Sequence, residues 1–163
     1  MKNLILLLFT FTLFCTSCNN DDDGDSPLSE KYTMKETNNS GISGSVFFEK
    51  PTALFSDDIF FISVELTGVE LEGSYTANIY NNSLLEDGDI AFTLNSTNNT
   101  IYNLEDSNVL IISNTFHSFN QLIIDNEILN YQELIAFDGH IKIFNDDDPS
   151  IVLAEGNIGS NAP

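Results

Sequence analysis

The chain contains no arginine and only five lysines against 25 acidic residues, a formal charge of −20 over 163 residues. Binding to phosphate backbones rests on clustered Lys and Arg, so nucleic acid is excluded as a partner. Anionic lipid headgroups and anionic glycans are equally poor candidates for direct docking. Cysteine is scarce too: Cys15 and Cys18 are the only two, both within the first 18 residues. Disulfides and thiolate metal sites therefore have no material in the rest of the chain. The apolar stretch Leu4–Phe14 falls well short of the roughly 20 residues that a membrane-spanning helix needs. Long helical periodicity is absent. Serines are plentiful, but no nucleophile elbow frames one, and paired carboxylates are too common here to mark a glycosidase.

The N-terminus has the three-part layout of a secretory signal: Lys2, the apolar Leu4–Phe14, then small polar residues before Cys18. Cys15-Thr16-Ser17-Cys18 resembles a bacterial lipobox, in which a small residue precedes the cysteine whose sulfur receives diacylglycerol before cleavage. It departs from that pattern at Cys15, where leucine or another aliphatic is usual. Bulky Phe14 disfavours Cys15 itself as the acceptor. The expectation is a signal peptide over residues 1–17 and a lipidated Cys18 (thioether-linked diacylglycerol, with acyl chains such as palmitate). With two or three chains at about 0.8 kcal/mol per buried methylene, such an anchor holds permanently.

Asn19 to Pro27 is polar, acidic and without a residue to bury, which reads as a flexible spacer. The acidic run behind Cys18 also resembles the signal that sends lipoproteins of some Gram-negative bacteria to the outer face of the outer membrane, so surface display is expected. Cleavage leaves residues 18–163, with four lysines against 25 acidic residues and a formal charge of −21. This acidity reads either as cation binding or, more simply, as a soluble surface kept apart from its neighbours by like charge. With residues 18–40 as lipidated cysteine and spacer, residues 41–163 suit one domain with one core.

From Ile42 onward the dominant signal is period two. Ile42, Gly44, Val46 and Phe48 fall on one face; Phe60, Ile62, Val64 and Leu66 on another; Tyr75, Ala77 and Ile79 alternate with Thr76, Asn78 and Tyr80; Ile90, Phe92 and Leu94 alternate with Ala91 and Thr93. Later strands are expected at 109–113, 140–144 and 151–155. Turn residues punctuate these runs, among them Asp57-Asp58, Gly68, Asn81-Asn82-Ser83, Asp87-Gly88 and Asn95–Asn99. One short helix is expected over Tyr131–Phe137, capped by Asn130 with Glu133 in the capping-box position and ended by Gly139. Residues 119–129 read as a short strand or turn. The fold class is all-β: an antiparallel β-sandwich, Ig-like or superoxide-dismutase-like, with two sheets burying Phe48, Phe60, Ile62, Val64, Ile79, Phe92, Ile111, Ile141, Ile143 and Leu153.

Val64-Glu65-Leu66-Thr67-Gly68, Tyr75–Tyr80, Tyr131–Leu134 through Phe137–Ile141, and Leu153-Ala154-Glu155-Gly156-Asn157-Ile158-Gly159 together resemble the bacterial CHRD (chordin-like) domain over about residues 42–161. The resemblance implies a His-x-His pair on the strand Ala77–Tyr80, similar to copper–zinc superoxide dismutases, and a third histidine near the end of the strand His140–Phe144. Residues i and i+2 of a strand project from the same side, so such a pair can hold one metal ion. This chain has Asn78, Tyr80 and Phe144 at those positions, which leaves the implied metal chemistry without ligands.

His117 and His140 are the two histidines, and two imidazoles alone make neither a closed zinc site nor a redox copper site. Each is expected to be a partly exposed polar residue. Asp146, Asp147 and Asp148 are weak calcium candidates, because calcium prefers hard oxygen ligands in a turn, although the EF-hand spacing is missing and an acidic inter-strand loop explains them as well. No catalytic residue, cofactor or resident metal is expected. The sequence thus points to a membrane-anchored, non-enzymatic binding or scaffolding module for an unidentified protein or glycan. A degenerate dismutase-like metalloprotein, another secreted enzyme and a calcium-dependent adhesion module are the alternatives.

Overall fold

A computed structural model describes residues 28–51, 59–70, 72–94, 100–103, 108–116 and 120–163. The expected signal peptide (residues 1–17), Cys18, the acidic run behind it, His117 and the turns at Asp57-Asp58 and Asn95–Asn99 lie outside the described residues. Eleven strands and one helix follow in order among the described residues: β1 (Leu28–Glu36), β2 (Ser43–Lys50), β3 (Phe60–Thr67), β4 (Tyr75–Asn81), β5 (Ile90–Leu94), β6 (Thr100–Asn103), β7 (Asn108–Phe116), β8 (Ile123–Ile124), β9 (Glu127–Ile128), α1 (Tyr131–Ile135), β10 (Asp138–Asn145) and β11 (Asp148–Gly159). The class is all-β with one short helix, as the alternation predicts. No helix among the described residues is long and apolar enough to cross a membrane.

Nine strands hydrogen-bond in the order β5-β4-β10-β11-β1-β2-β3-β7-β6, every pair antiparallel. The expected pair of sheets is therefore one continuous sheet folded over on itself, nearly a barrel. β1 makes the fold-over: Leu28 to Met34 pair with β2, while Lys35 and Glu36 pair with Glu155 and Ala154 of β11. Two glycines permit the close approach at this bend. A Cβ on Gly156 would lie 2.4 Å from the Thr33 carbonyl oxygen, and one on Gly44 would lie 2.0 Å from that of Glu65. Across the fold-over, Phe92 of the end strand β5 meets Phe116 of β7, next to the other end, edge-on, with 5.4 Å between ring centroids.

The position of β1 corrects the domain boundary. Residues 28–36 are not spacer; they are a structural strand between the two halves of the sheet, with Tyr32 and Met34 buried in the core. Charged neighbours (Glu30, Lys31, Lys35, Glu36) give this stretch a polar composition, and only every second residue of its C-terminal half is apolar and buried. The folded domain includes Leu28–Glu36.

The core follows the period-two faces of β2, β3 and β4, where Val46, Phe48, Ile62, Val64, Leu66, Ala77 and Ile79 are all but fully removed from water. Burying each large aliphatic or aromatic side chain contributes roughly 1.5–3 kcal/mol. In β7 and β11 the buried face is one residue out of phase with expectation: Leu110 and Ile112 are buried and Ile111 is half-buried, and Ala154 is buried while Leu153 only packs against the core. Val109–Ile112 and Ile151–Ala154 are apolar throughout, so alternation cannot choose a face there. Register chooses it, because Ile112 pairs with Val64, Leu110 with Leu66, and Ala154 with Ile143. Phe92, at the edge strand β5, is half-buried for want of a further neighbour strand.

Residues 123–128 form the two-residue hairpin β8–β9, with Asp125 and Asn126 in the left-handed region (φ 53° and 67°), as a tight turn of that kind demands. The helix α1 starts on the expected capping box: the Asn130 side chain accepts from the Gln132 and Glu133 N–H groups, and Glu133 accepts from the Asn130 N–H. It ends at Ala136, and Gly139 is already inside β10. Tyr131 donates to the Phe48 carbonyl oxygen at 3.3 Å, which seats α1 against β2.

Candidate functional site

Because Tyr75, Ala77 and Ile79 point into the core, Thr76, Asn78 and Tyr80 stand on the outer face of β4. Register sets Phe144 opposite Thr76, Lys142 opposite Asn78 and His140 opposite Tyr80 on one side, with Thr93 opposite Asn78 and Ile90 opposite Tyr80 on the other. This outer face holds a groove of about 330 Å³ lined by Thr76, Asn78, Tyr80, Ile90, Phe144, Asp146 and Pro149. The three positions at which the CHRD resemblance implies histidines, 78, 80 and 144, are thus gathered around one groove.

The polar groups of the groove are held in place. Thr93 Oγ1 donates to Asn78 Oδ1 at 2.8 Å. Asp146 accepts the Ser74 hydroxyl on Oδ2 at 2.5 Å and the Thr76 hydroxyl on Oδ1 at 2.6 Å, while its N–H donates to the Ser74 carbonyl. Tyr80 is stacked on His140 with 4.9 Å between centroids, and the Lys142 ammonium lies 5.0 Å from the Tyr80 ring centre.

His140 shares the outward side of β10 with Lys142 and Phe144, yet it is fully buried, which corrects the expectation of a partly exposed residue. The loop 82–89 is folded over it. Nδ1 lies 2.8 Å from the Asn82 carbonyl oxygen, which can only accept, so Nδ1 carries a proton. Nε2 is buried without a hydrogen bond, 3.6 Å from Asp87 Oδ1. The loop is pinned further by the Leu84 N–H donating to Asn157 Oδ1 at 2.9 Å and by Asn82 Nδ2 donating to the Asp87 carbonyl at 3.1 Å. Asn82 and Asp87 both adopt left-handed backbone (φ 64° and 56°), a conformation that Asn and Asp tolerate better than most residues. Lys142 Nζ donates to Asp87 Oδ1 at 2.9 Å; this hydrogen bond, with a further one from the Gly88 N–H, holds the Asp87 carboxyl below the usual carboxylate range.

Beside this loop lies a wide, open depression of about 750 Å³ that includes Glu86, Asp87, Asp89, Asp125 and Asp138 in its lining. The calcium candidates are elsewhere, at the β10–β11 turn. Asp146 faces Ser74 and Thr76, whereas Asp148 Oδ1 accepts from the hydroxyl and N–H of Ser150, and the Asp147 N–H donates to Asn145 Oδ1. The carboxylates of Asp146 and Asp148 are thus each engaged with a different set of hydroxyl groups. Among the described residues, no group of three or more His, Cys, Asp or Glu side chains is arranged to hold a metal ion.

Comparison with protein-family models, with curated proteins and with solved structures finds no match for this chain. Sequence reasoning missed the loop cover over His140. Its trace in the sequence is the pair of turn signals Asn81-Asn82-Ser83 and Asp87-Gly88, which enclose a segment long enough to fold over the strand next to the one it leaves.

Proposed function

We propose that the chain is a CHRD-like, lipid-anchored binding module, displayed on the surface of a Gram-negative bacterium, that holds a ligand without transforming it. The observation that carries this reading is the contrast between the two kinds of group on the outer face of β4 and β10. His140 is sealed beneath the loop 82–89, while the open groove presents aromatic, amide and hydroxyl-bonded carboxylate groups, which suit holding rather than proton transfer. The lipobox-like residues before Cys18 support the anchor, and the segment from Cys18 to Leu28 can span at most about 35 Å, so the domain stays close to the membrane.

Growth with labelled palmitate tests the anchor: label is expected in the wild-type protein and absent from a Cys18→Ser variant. Protease treatment of intact cells tests display, and a chain that is cleaved only after the outer membrane is opened would exclude it. Stoichiometric copper or zinc in the purified protein would overturn the non-enzymatic reading of Asn78, Tyr80 and Phe144.

A further inference from the structure

We infer that the groove between β4, β5 and the β10–β11 turn binds an uncharged carbohydrate chain, with Tyr80 and Phe144 against sugar C–H faces and Asn78 and Asp146 at the hydroxyls. This ligand class rests on the binding-module reading above. The groove volume of about 330 Å³ lies at the lower end of the roughly 300–1,000 Å³ of small-ligand clefts. Phe144 pairs with Thr76, four residues along β4 from Tyr80, so the two aromatic positions are about 13 Å apart along the strand, with Asn78 between them. Two rings at that separation around a central amide fit a linear chain of rings better than one compact molecule.

Each group is set before the ligand arrives. Asn78 accepts the Thr93 hydroxyl on its carbonyl oxygen, which leaves the amide nitrogen as donor. Asp146 already accepts one hydroxyl on each oxygen, and a carboxylate has lone pairs for more. Tyr80 is held by the His140 ring, so little side-chain entropy is lost when it is covered. Charge selects against the other ligand classes. Anions meet a chain of formal charge −21 after cleavage, and Lys142 is engaged with Asp87. A cation would give up hydration against apolar walls and one carboxylate that two hydroxyls already bond. The groove is also accessible. β1 runs away from the tether toward Glu36, which meets Ala154, and β11 reaches that level from the Asn145–Asp148 turn, so Asp146 and Pro149 lie on the far side of the domain from Leu28.

The test is isothermal titration of the full-length lipidated protein, in micelles of a detergent without a sugar headgroup. The probes are neutral hexasaccharides of β-1,4-glucan, β-1,3-glucan, β-1,4-xylan and α-mannan, with a polygalacturonate hexasaccharide and hexalysine as charged controls. Saturable binding of at least one neutral probe is expected, weakened at least tenfold by Phe144→Ala and by Asn78→Asp, two variants that leave the His140 stack untouched. Failure of every neutral hexasaccharide to bind, binding undiminished in both variants, or binding of hexalysine alone each overturns the carbohydrate assignment. Those outcomes are distinct from failure of the reading above, whose anchor, display and non-enzymatic character are decided by the palmitate, protease and metal-content measurements.

Discussion

The Tyr80 ring lies nearly parallel to the His140 imidazole, at 8° between planes and 4.9 Å between centroids. Cross-strand register alone makes them neighbours, and the loop 82–89 buries the His140 side of the stack while Tyr80 stays half-buried on what is otherwise the wet face of the sheet. His140 thereby becomes structural: it ties β10 to the loop through Asn82 and supports an aromatic wall of the groove.

Replacing His140 by alanine is expected to destabilise the domain by about 2–4 kcal/mol, the sum of a cavity and a lost buried hydrogen bond. Urea unfolding measures the loss, and hydrogen exchange is expected to rise at the amide of Leu84. A loss below about 1 kcal/mol would mean that the loop holds without its imidazole.

Asp87 sets part of the acid limit. Its carboxyl is held below the usual range, first by the hydrogen bond from Lys142, so the stability it contributes is fully present above the ordinary aspartate value of about 3.9 and is lost as pH falls through the lower folded-state value. Melting curves between pH 2 and 6 are expected to show a shallower acid limb for Asp87→Asn than for the wild type. Identical limbs would remove Asp87 from the account.

Tyr32 and Tyr131 set an alkaline limit. Burial, followed by the negative charge of Glu30, raises both phenols above the ordinary tyrosine value. Unfolded tyrosines ionise first, so this stability is intact below about pH 10 and is lost as pH rises through the raised folded-state values. The melting temperature is expected to fall above about pH 10, and a Tyr32→Phe, Tyr131→Phe double variant is expected to fall less steeply there.

A chain begun at residue 41 lacks β1. It is expected not to fold, because β2 and β11 lose their shared neighbour and the core loses Tyr32 and Met34. Far-ultraviolet circular dichroism and size-exclusion chromatography check this against a chain begun at Leu28, and a folded monomer from residue 41 would contradict the role given to β1.

Where one face of a strand is apolar and the other polar, local pattern was enough. β3 alternates Phe60, Ile62, Val64 and Leu66 with Phe61, Ser63, Glu65 and Thr67, and those faces are the buried and outward ones. Asn130 and Glu133, three residues apart, likewise announced α1, because a capping box is a contact between near neighbours. Pattern failed where a run is apolar on both faces, as in β7 and β11, and where a strand is mostly polar, as in β1.

The sequence by itself determined the all-β class, the helix start and the excess of negative charge, since these depend on side-chain chemistry and on residues a few positions apart. Only the tertiary structure decided that β1 joins the halves of the sheet, that His140 is shut under the loop 82–89, and that Asn78, Tyr80, Phe144 and Asp146 surround one groove. Those outcomes depend on pairing between strands far apart in the chain, such as Tyr80 with His140 and Glu36 with Ala154, and a one-residue change of register would carry every side chain of a strand to its other face.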